Sequence, residues 1–423
     1  MVLIQFDPGI IQFDRNDRWQ WWDSMRSWFA ERGYTLYDYL PDGDSDSKFA
    51  YWKPSRHCPG PIDFPYPYMG SDDDRTGYAT GYGEGRVVFA QDNEGRHLAI
   101  KLLKGGSEEV KVSKLLKDES CLHDFELFPC VLPVLDLLPC EDHWFVVMPR
   151  WGEVDYTPWF STMYHAVLHM RCLLKGLIFL QSRRIFHRDV AHRNILVNRL
   201  AYFRDRRKTF SMQFELEKEE KLRYALFDFD RAVLLDKETY GESPILPIHF
   251  VDRGFYIPPY ERLLGYPDFD PFKYDVACLG IYFDETFGDH IPAAPLLAPL
   301  IDRMLTADIE KRFTASQALD FTEYILSNVS QTIPTYDKPR IWMGSYYDRD
   351  RWKDLPEDFV TTWASYRDNS FSGMTKFQIW FVLRGRIPAW YALHGCRCIH
   401  RAVSSIPKTT LRIFRNILSA FAR

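Results

Sequence analysis

Asp189 and Asn194 stand five residues apart in the run His187, Arg188, Asp189, Val190, Ala191, His192, Arg193, Asn194, which leads into apolar Ile195, Leu196 and Val197. At that spacing one short loop can offer a carboxylate to take up a proton and an amide to hold a metal ion. The other parts of a phosphoryl-transfer site lie in order on both sides. Upstream, Thr80 to Ala90 is glycine-rich (Gly81, Gly83, Gly85) and then β-branched. Glycine lets backbone amides come close to phosphate. Lys101 ends the strand-like Leu98, Ala99, Ile100, and Gly105, Gly106 and Ser107 then break the strand and cap a helix whose first turn holds Glu108 and Glu109. Downstream, Ala225, Leu226 and Phe227 form a short apolar strand running into Asp228. Each residue also has a plainer role. Asp189 can bond its own turn, the two glutamates can simply complement the helix dipole, and Lys101 can face solvent.

Read together, these segments resemble the eukaryotic protein kinases. The loop of Asp189 and Asn194 resembles H-R-D-x-x-x-x-N, and Leu98–Lys101 resembles V-A-I-K. Gly85 to Ala90 fits the second half of G-x-G-x-x-G-x-V, with Val87 over the adenine, while Gly81 and Gly83 sit one residue too close to Gly85. The resemblance makes Lys101 the residue that orients the α- and β-phosphates and Ala99 the residue that keeps the adenine pocket flat. Glu109 becomes the partner of Lys101, with Glu108 as fallback, and the short link between them implies a helix without its N-terminal turns. Phe145 to Gly152 resembles the hinge, with Met148 at the back of the pocket and Trp151 after the hinge proline, Pro149. Leu196 joins the nucleotide-binding set. Asp228, Phe229, Asp230 resembles D-F-G with the glycine replaced, and together with Pro133–Asp136 and the hinge it is similar to a fungal-type kinase-like group. Tyr256–Glu261 resembles the Y-x-A-P-E end of the activation segment with one extra residue. Asp275–Ile281 resembles D-x-W-S-L-G-x, whose aspartate fixes the H-R-D loop, and Asp308–Leu319 holds Arg312, the expected partner of Glu261. The similarity covers about residues 75 to 327.

The resemblance implies an α+β, two-lobed protein kinase fold, with a small antiparallel-sheet N-lobe carrying one key helix and a mainly helical C-lobe. The expected division is an aromatic-rich extension over 1–70, an N-lobe over 71–148, a C-lobe over 149–327 and a basic tail over 328–423. The expected activity is ATP-dependent transfer to protein hydroxyls, using ATP and Mg2+. Asp189 receives or orients the acceptor proton, Asn194 and Asp228 hold magnesium, and Arg188 sits beside a phosphate on the activation segment, for which Thr239, Tyr240 and Ser243 are candidate acceptors. Serine/threonine transfer is the narrow expectation from the fungal-type resemblance. Ala191 and Arg193 follow the tyrosine-kinase pattern instead, so tyrosine and dual specificity stay open. The alternative is a catalytically impaired kinase-fold scaffold acting by protein binding. Its support is the altered glycine loop, Asp230, Pro149 and the missing lysine at Ala191.

A chain of 423 residues with 46% hydrophobic content can bury a large core, and a net charge of −5 gives no basis for a nucleic-acid partner. Eight scattered cysteines read as reduced thiols of an intracellular, cytoplasmic protein. Cys396, Cys398, His394 and His400 are too crowded for a usual zinc site. No basic-then-apolar leader and no run of eighteen apolar residues occurs. The stretch from Asn194 to Asp228 is long for a kinase hairpin, and its excess around Arg204–Arg223 reads as a surface hairpin or inserted helix. Asn16 or Asp17 is expected to cap a helix bearing Trp19, Trp22, Met25, Trp28 and Phe29 that stops at Gly33 and packs on the body. From Phe371 onward nine Lys and Arg meet no Asp or Glu, so the tail is a candidate for an anionic membrane, an acidic partner or the chain's own acidic body.

Overall fold

The computed structural model describes residues 15–40, 51–58, 63–69, 85–154, 160–201, 205–251, 259–331, 346–368 and 373–404. Gly81, Gly83, Tyr256–Pro258 and the expected last helix around Leu411–Phe421 lie outside the described residues.

Five strands form one antiparallel sheet in the order β1–β2–β3–β5–β4: β1 Thr35–Leu36, β2 Val87–Gln91, β3 His97–Lys104, β4 Asp136–Cys140 and β5 His143–Pro149. Their register fixes what the site can use. Val87 lies opposite Lys101, and Ala99 lies opposite Met148. Side chains alternate along a strand, so these four share one face. The other face carries Val88, Ile100, Leu102, Phe145 and Val147, all buried. It is covered by two helices from the aromatic N-terminal stretch, α1 Arg15–Ser24 and α2 Arg26–Ala30. The single helix expected here is split at Met25, and it ends where Gly33 takes φ +86 and Tyr34 N–H returns to Phe29 O at 3.0 Å. Phe29 is fully buried, with its ring 4.9 Å from that of Phe145. The face away from Lys101 is thus apolar because it is covered. Residues before 70 supply one cover and an edge strand.

Between β3 and β4 lies α3 Glu108–Lys117, capped by the Ser107 hydroxyl, which accepts from Val110 N–H. The helix begins at Glu108, as the short link from Lys101 requires. Below it, the buried α4 Met163–Ser182 packs on the strand Tyr224–Leu226 and on a later helix, Ala315–Asn328. Ile195–Val197 pairs with Tyr224–Leu226 on one side and Gly152–Glu153 on the other. At Gly152 a Cβ would meet Arg199 O at 2.4 Å, so the crossing that joins the two lobes admits only glycine. The long segment after Asn194 contains α5 Arg206–Lys218, a helix whose inner side buries Thr209, Gln213 and Glu217. Glu217 accepts from Ser161 N–H, and Gln213 accepts from the Arg199 guanidinium. The C-lobe continues through α6 Pro271–Phe287, α7 Leu297–Leu305 and α8 Ala315–Asn328, and a long terminal helix, α9, spans Gly373–Ser404. The stretch ahead of α9 is tied in by Arg351, buried between Asp284 and Asp302.

If α2 is a structural part of the N-lobe, Phe29→Ala should cost about 3–5 kcal/mol, the usual range for emptying a buried aromatic site. Chemical denaturation measures this. A loss near zero would mean the aromatic helices are only appended.

Candidate active site

Three elements converge on Lys101. β3 presents its side chain on the face opposite the aromatic cover. α3 supplies Glu109, whose Oε1 lies 2.5 Å from Nζ, and the segment after Tyr224–Leu226 supplies Asp228, whose Oδ1 lies 2.6 Å from it. Burial alone would lower the lysine's pKa, but the two carboxylates outweigh it and hold the ammonium charged well above its ordinary range. Burial likewise works against Asp228, and Lys101 overrides it to keep that carboxyl below its usual value. Glu109 is thus the partner of Lys101. Glu108, the fallback, does other work: it accepts from Leu234 N–H at 3.3 Å and pairs with Lys111.

The loop beneath is fixed from behind. Asp275, buried in α6, accepts from His187 N–H at 2.9 Å and from Arg188 N–H at 3.0 Å, one oxygen for each amide. Burial pushes the Asp275 carboxyl up to about 8 against the pull of those amides. His187 is itself pushed toward the neutral form by burial, so its Nε2–H donates to Phe227 O at 3.1 Å, while its ring lies 5.4 Å from that of Phe229. The loop is therefore tied to the Asp228 segment by a hydrogen bond and a ring contact. Arg188 and Asp228 both sit in the left-handed region, at φ +67 and +65. Such conformations cost of order 1–3 kcal/mol each and persist only where the surroundings impose them. Asp230 has an ordinary negative φ, so no glycine is required there. Burial, then the nearby Asp228, raises its carboxyl.

Within the loop, Asn194 donates through Nδ2 to Asp189 O at 2.7 Å and to Asp189 Oδ2 at 2.9 Å. That turns the amide oxygen, the atom a hard cation takes, away from Asp189. Arg193 reaches both carboxylate oxygens of Asp189, at 2.7 and 2.6 Å. The pair Asn194 and Asp228 suits magnesium, which uses one or two protein oxygens and completes its shell with water and substrate phosphates. Among the described residues no group of three or more His, Cys, Asp or Glu is placed to hold a metal ion.

Of the residues expected around an adenine, Val87, Ala99 and Met148 are half-buried on the Lys101 face, Gly85 is half-buried two residues before Val87, and Leu196 is buried in the lower sheet. Trp151 stands elsewhere. Its ring packs against Phe64 and Phe128, and its Nε1 donates to Pro65 O at 2.7 Å. The amides that follow β5 are engaged internally: Arg150 N–H on His97 O, Trp151 N–H on Pro149 O and Gly152 N–H on Arg199 O, at 3.0, 3.0 and 2.7 Å. A base at this edge would be read by acceptors and by fit, since these three donors are already used.

Four supporting side chains meet partners that no motif announces. Arg184, at φ +60 just past α4, donates to Leu235 O, Gly241 O and Glu242 O, which gathers the segment after Asp228. Trp22 Nε1 donates to Gly85 O at 3.1 Å, so α1 holds the described end of the glycine loop. Lys117 and Tyr34 both bond Asp136, joining α3, β4 and the N-terminal segment. Farther down, Glu261 and Arg312 form the anticipated ion pair, fully buried.

An Asp275→Asn substitution would set an amide donor against one of the two backbone donors, a mismatch worth about 1–3 kcal/mol. Amide exchange at His187 and Arg188 should accelerate while the rest of the C-lobe stays protected. Unchanged exchange there would mean that Asp275 does not hold the loop.

Residues 79–219, about a third of the chain, match the family model described as protein tyrosine and serine/threonine kinase. No curated protein gives a significant match. The matched stretch runs from the glycine loop past Asp189 and Asn194. Asp228, Glu261, Asp275 and Arg312 lie beyond it and rest on the geometry above. The antiparallel N-lobe sheet with α3 between its third and fourth strands, the mainly helical lower lobe and the kinase match agree: this chain has the two-lobed protein kinase fold.

Proposed function

We propose that the chain is an ATP-dependent protein kinase transferring a phosphoryl group to protein hydroxyls, with serine and threonine ahead of tyrosine. The observation that carries this reading is Lys101, held charged between Glu109 and Asp228. A lysine so placed is preorganised for phosphate oxygens, and it costs no rearrangement when charge develops on them.

ATP with Mg2+ would supply the transferable phosphoryl group and neutralise its charge. The chain's own residues would then do four things. Lys101 would orient phosphate oxygens from the β3 side. Asn194 Oδ1 and the Asp228 carboxylate would hold the cation. Asp189 would accept the acceptor hydroxyl's proton, and Arg193, on its carboxylate, would fix its direction. The left-handed turns at Arg188 and Asp228, imposed by their surroundings, would aim the carboxylates of Asp189 and Asp228 inward.

Position 191, two residues after Asp189, is alanine, and Arg193 takes the cationic place in the loop. Tyrosine is therefore the second acceptor class to resolve. The competing reading is a catalytically impaired scaffold. The engaged amides after β5 and Asp230 stand on its side, and the intact Lys101 cluster stands against it.

The deciding experiment is phosphate incorporation from Mg-ATP into a mixed Ser/Thr/Tyr peptide library by the full chain and by Asp189→Asn. The expected result is incorporation that falls by a factor of about 100 or more in the variant, the usual scale for losing a positioned acid–base group, with label on Ser and Thr. No incorporation above the variant, together with no Mg-dependent ATP binding, would replace the kinase by the scaffold.

A further inference from the structure

Helix α9 is apolar on two opposite sides. The inner side is used by the chain itself. Ile379, Val382 and Ala389 are buried, Trp390 Nε1 donates to Arg262 O at 2.7 Å, and Arg397 Nε donates to Leu264 O at 2.9 Å. These contacts fall on and just after the helical turn Tyr260–Leu263, and Arg401 pairs with Asp268 beyond it.

The outer side carries Met374, Phe377, Trp380, Phe381, Tyr391 and Ile399, from 37% to 66% exposed. At about 100° per residue these six fall within an arc of roughly 120°, facing away from the buried set. Phe377 stacks on Trp380 and on Phe381, with ring centroids 5.8 and 6.2 Å apart. A helix docked on a globular body normally turns charged and polar residues outward. Here the outward ridge is aromatic.

Charge selects the occupant. The segment from Phe371 to Arg423 has nine Lys and Arg and no Asp or Glu, so of the chain's net −5 the remainder carries −14; Arg397 and Arg401 are used on the inner side, which leaves seven. A second copy would bring the same cations to the same ridge and repel. An anionic lipid surface offers both an apolar layer for Phe, Trp and Tyr side chains and a field worth about 1 kcal/mol per cation. The geometry suits lying in the interface. Among the described residues the one helix long and apolar enough to cross a bilayer is α4, which is largely buried in the C-lobe.

We propose that the outer face of α9 rests in the surface of an anionic membrane, while its inner face holds the catalytic domain there through the end of the activation segment.

The test is co-sedimentation of the full chain with vesicles of phosphatidylcholine alone and of phosphatidylcholine with phosphatidylserine, for wild type and for Phe377→Asp/Trp380→Asp. Both substituted residues are exposed and outside the active site, and a thermal melt checks folding. The expected result is binding to the serine-lipid vesicles only, weakened by salt and at least tenfold weaker in the double variant. Quenching of wild-type tryptophan emission by brominated phosphatidylserine gives a second readout that needs no variant. Three results would overturn the proposal: no binding and no quenching, equal binding to both vesicle types, or a wild-type dimer in light scattering that the variant converts to monomer without lipid binding. The last would assign the ridge to a second copy.

Discussion

The charge on Lys101 is the constraint on which the rest of the structure turns. An ammonium in so buried a place is costly unless matched, and it is matched from two directions. Glu109 comes from the helix of the upper lobe, and Asp228 from a segment that belongs to the lower one. The cluster therefore depends on the two lobes meeting here, on α3 beginning at the residue it does and on the β3 register that points Lys101 away from the aromatic cover. A one-residue slip in that sheet would send the ammonium into Trp22 and Phe29 and turn Ile100 toward Glu109 and Asp228.

The lower half of the site is positioned almost wholly through the backbone. Asp275 takes two consecutive amides, His187 reaches the carbonyl of Phe227, and Arg184 gathers three carbonyls of the segment beyond. Glu108 adds a tie from α3 to the same segment. These bonds account for two strained loop residues of the site, Arg188 and Asp228, being held at once. They also explain why Asp230 is tolerated where related sites carry glycine: the left-handed turn is taken at Asp228, and residue 230 has an ordinary conformation.

The segments on either side of the catalytic domain are built into it by the same hydrophobic accounting that forms the core. An antiparallel sheet can leave one face in water, but here the face away from Lys101 is apolar, and the Trp- and Phe-rich helices before residue 31 cover it. Those helices then acquire a role near the site, through Trp22 on Gly85. At the other end, α9 clamps the turn that carries Glu261, itself locked to Arg312 in the core. Aromatic surface is used inward at the N-terminus and left outward on α9.

The members of the Lys101 cluster and of the Asp189 loop were legible in the sequence because each is marked by spacing within a single element. Asp189 and Asn194 share one loop, Lys101 lies in one strand and Glu109 opens one helix, so residue type and local punctuation were enough to name them and to suggest their resemblance to kinases. Glu109 over Glu108 was legible too, although only helix phase in the folded protein separates the two. Less could be read where partners are far apart in the chain. No periodicity marks Arg184 as the residue that gathers carbonyls more than fifty positions away, or Trp22 as the support of Gly85. Nor could sequence show that Trp151 turns into an aromatic cluster or that the amides after β5 are used internally. Those outcomes depend on which backbone groups meet across the lobe junction. Local sequence sets which groups a segment offers. Only the packed chain decides which of them are already taken, because a hydrogen bond or a buried face can be used once.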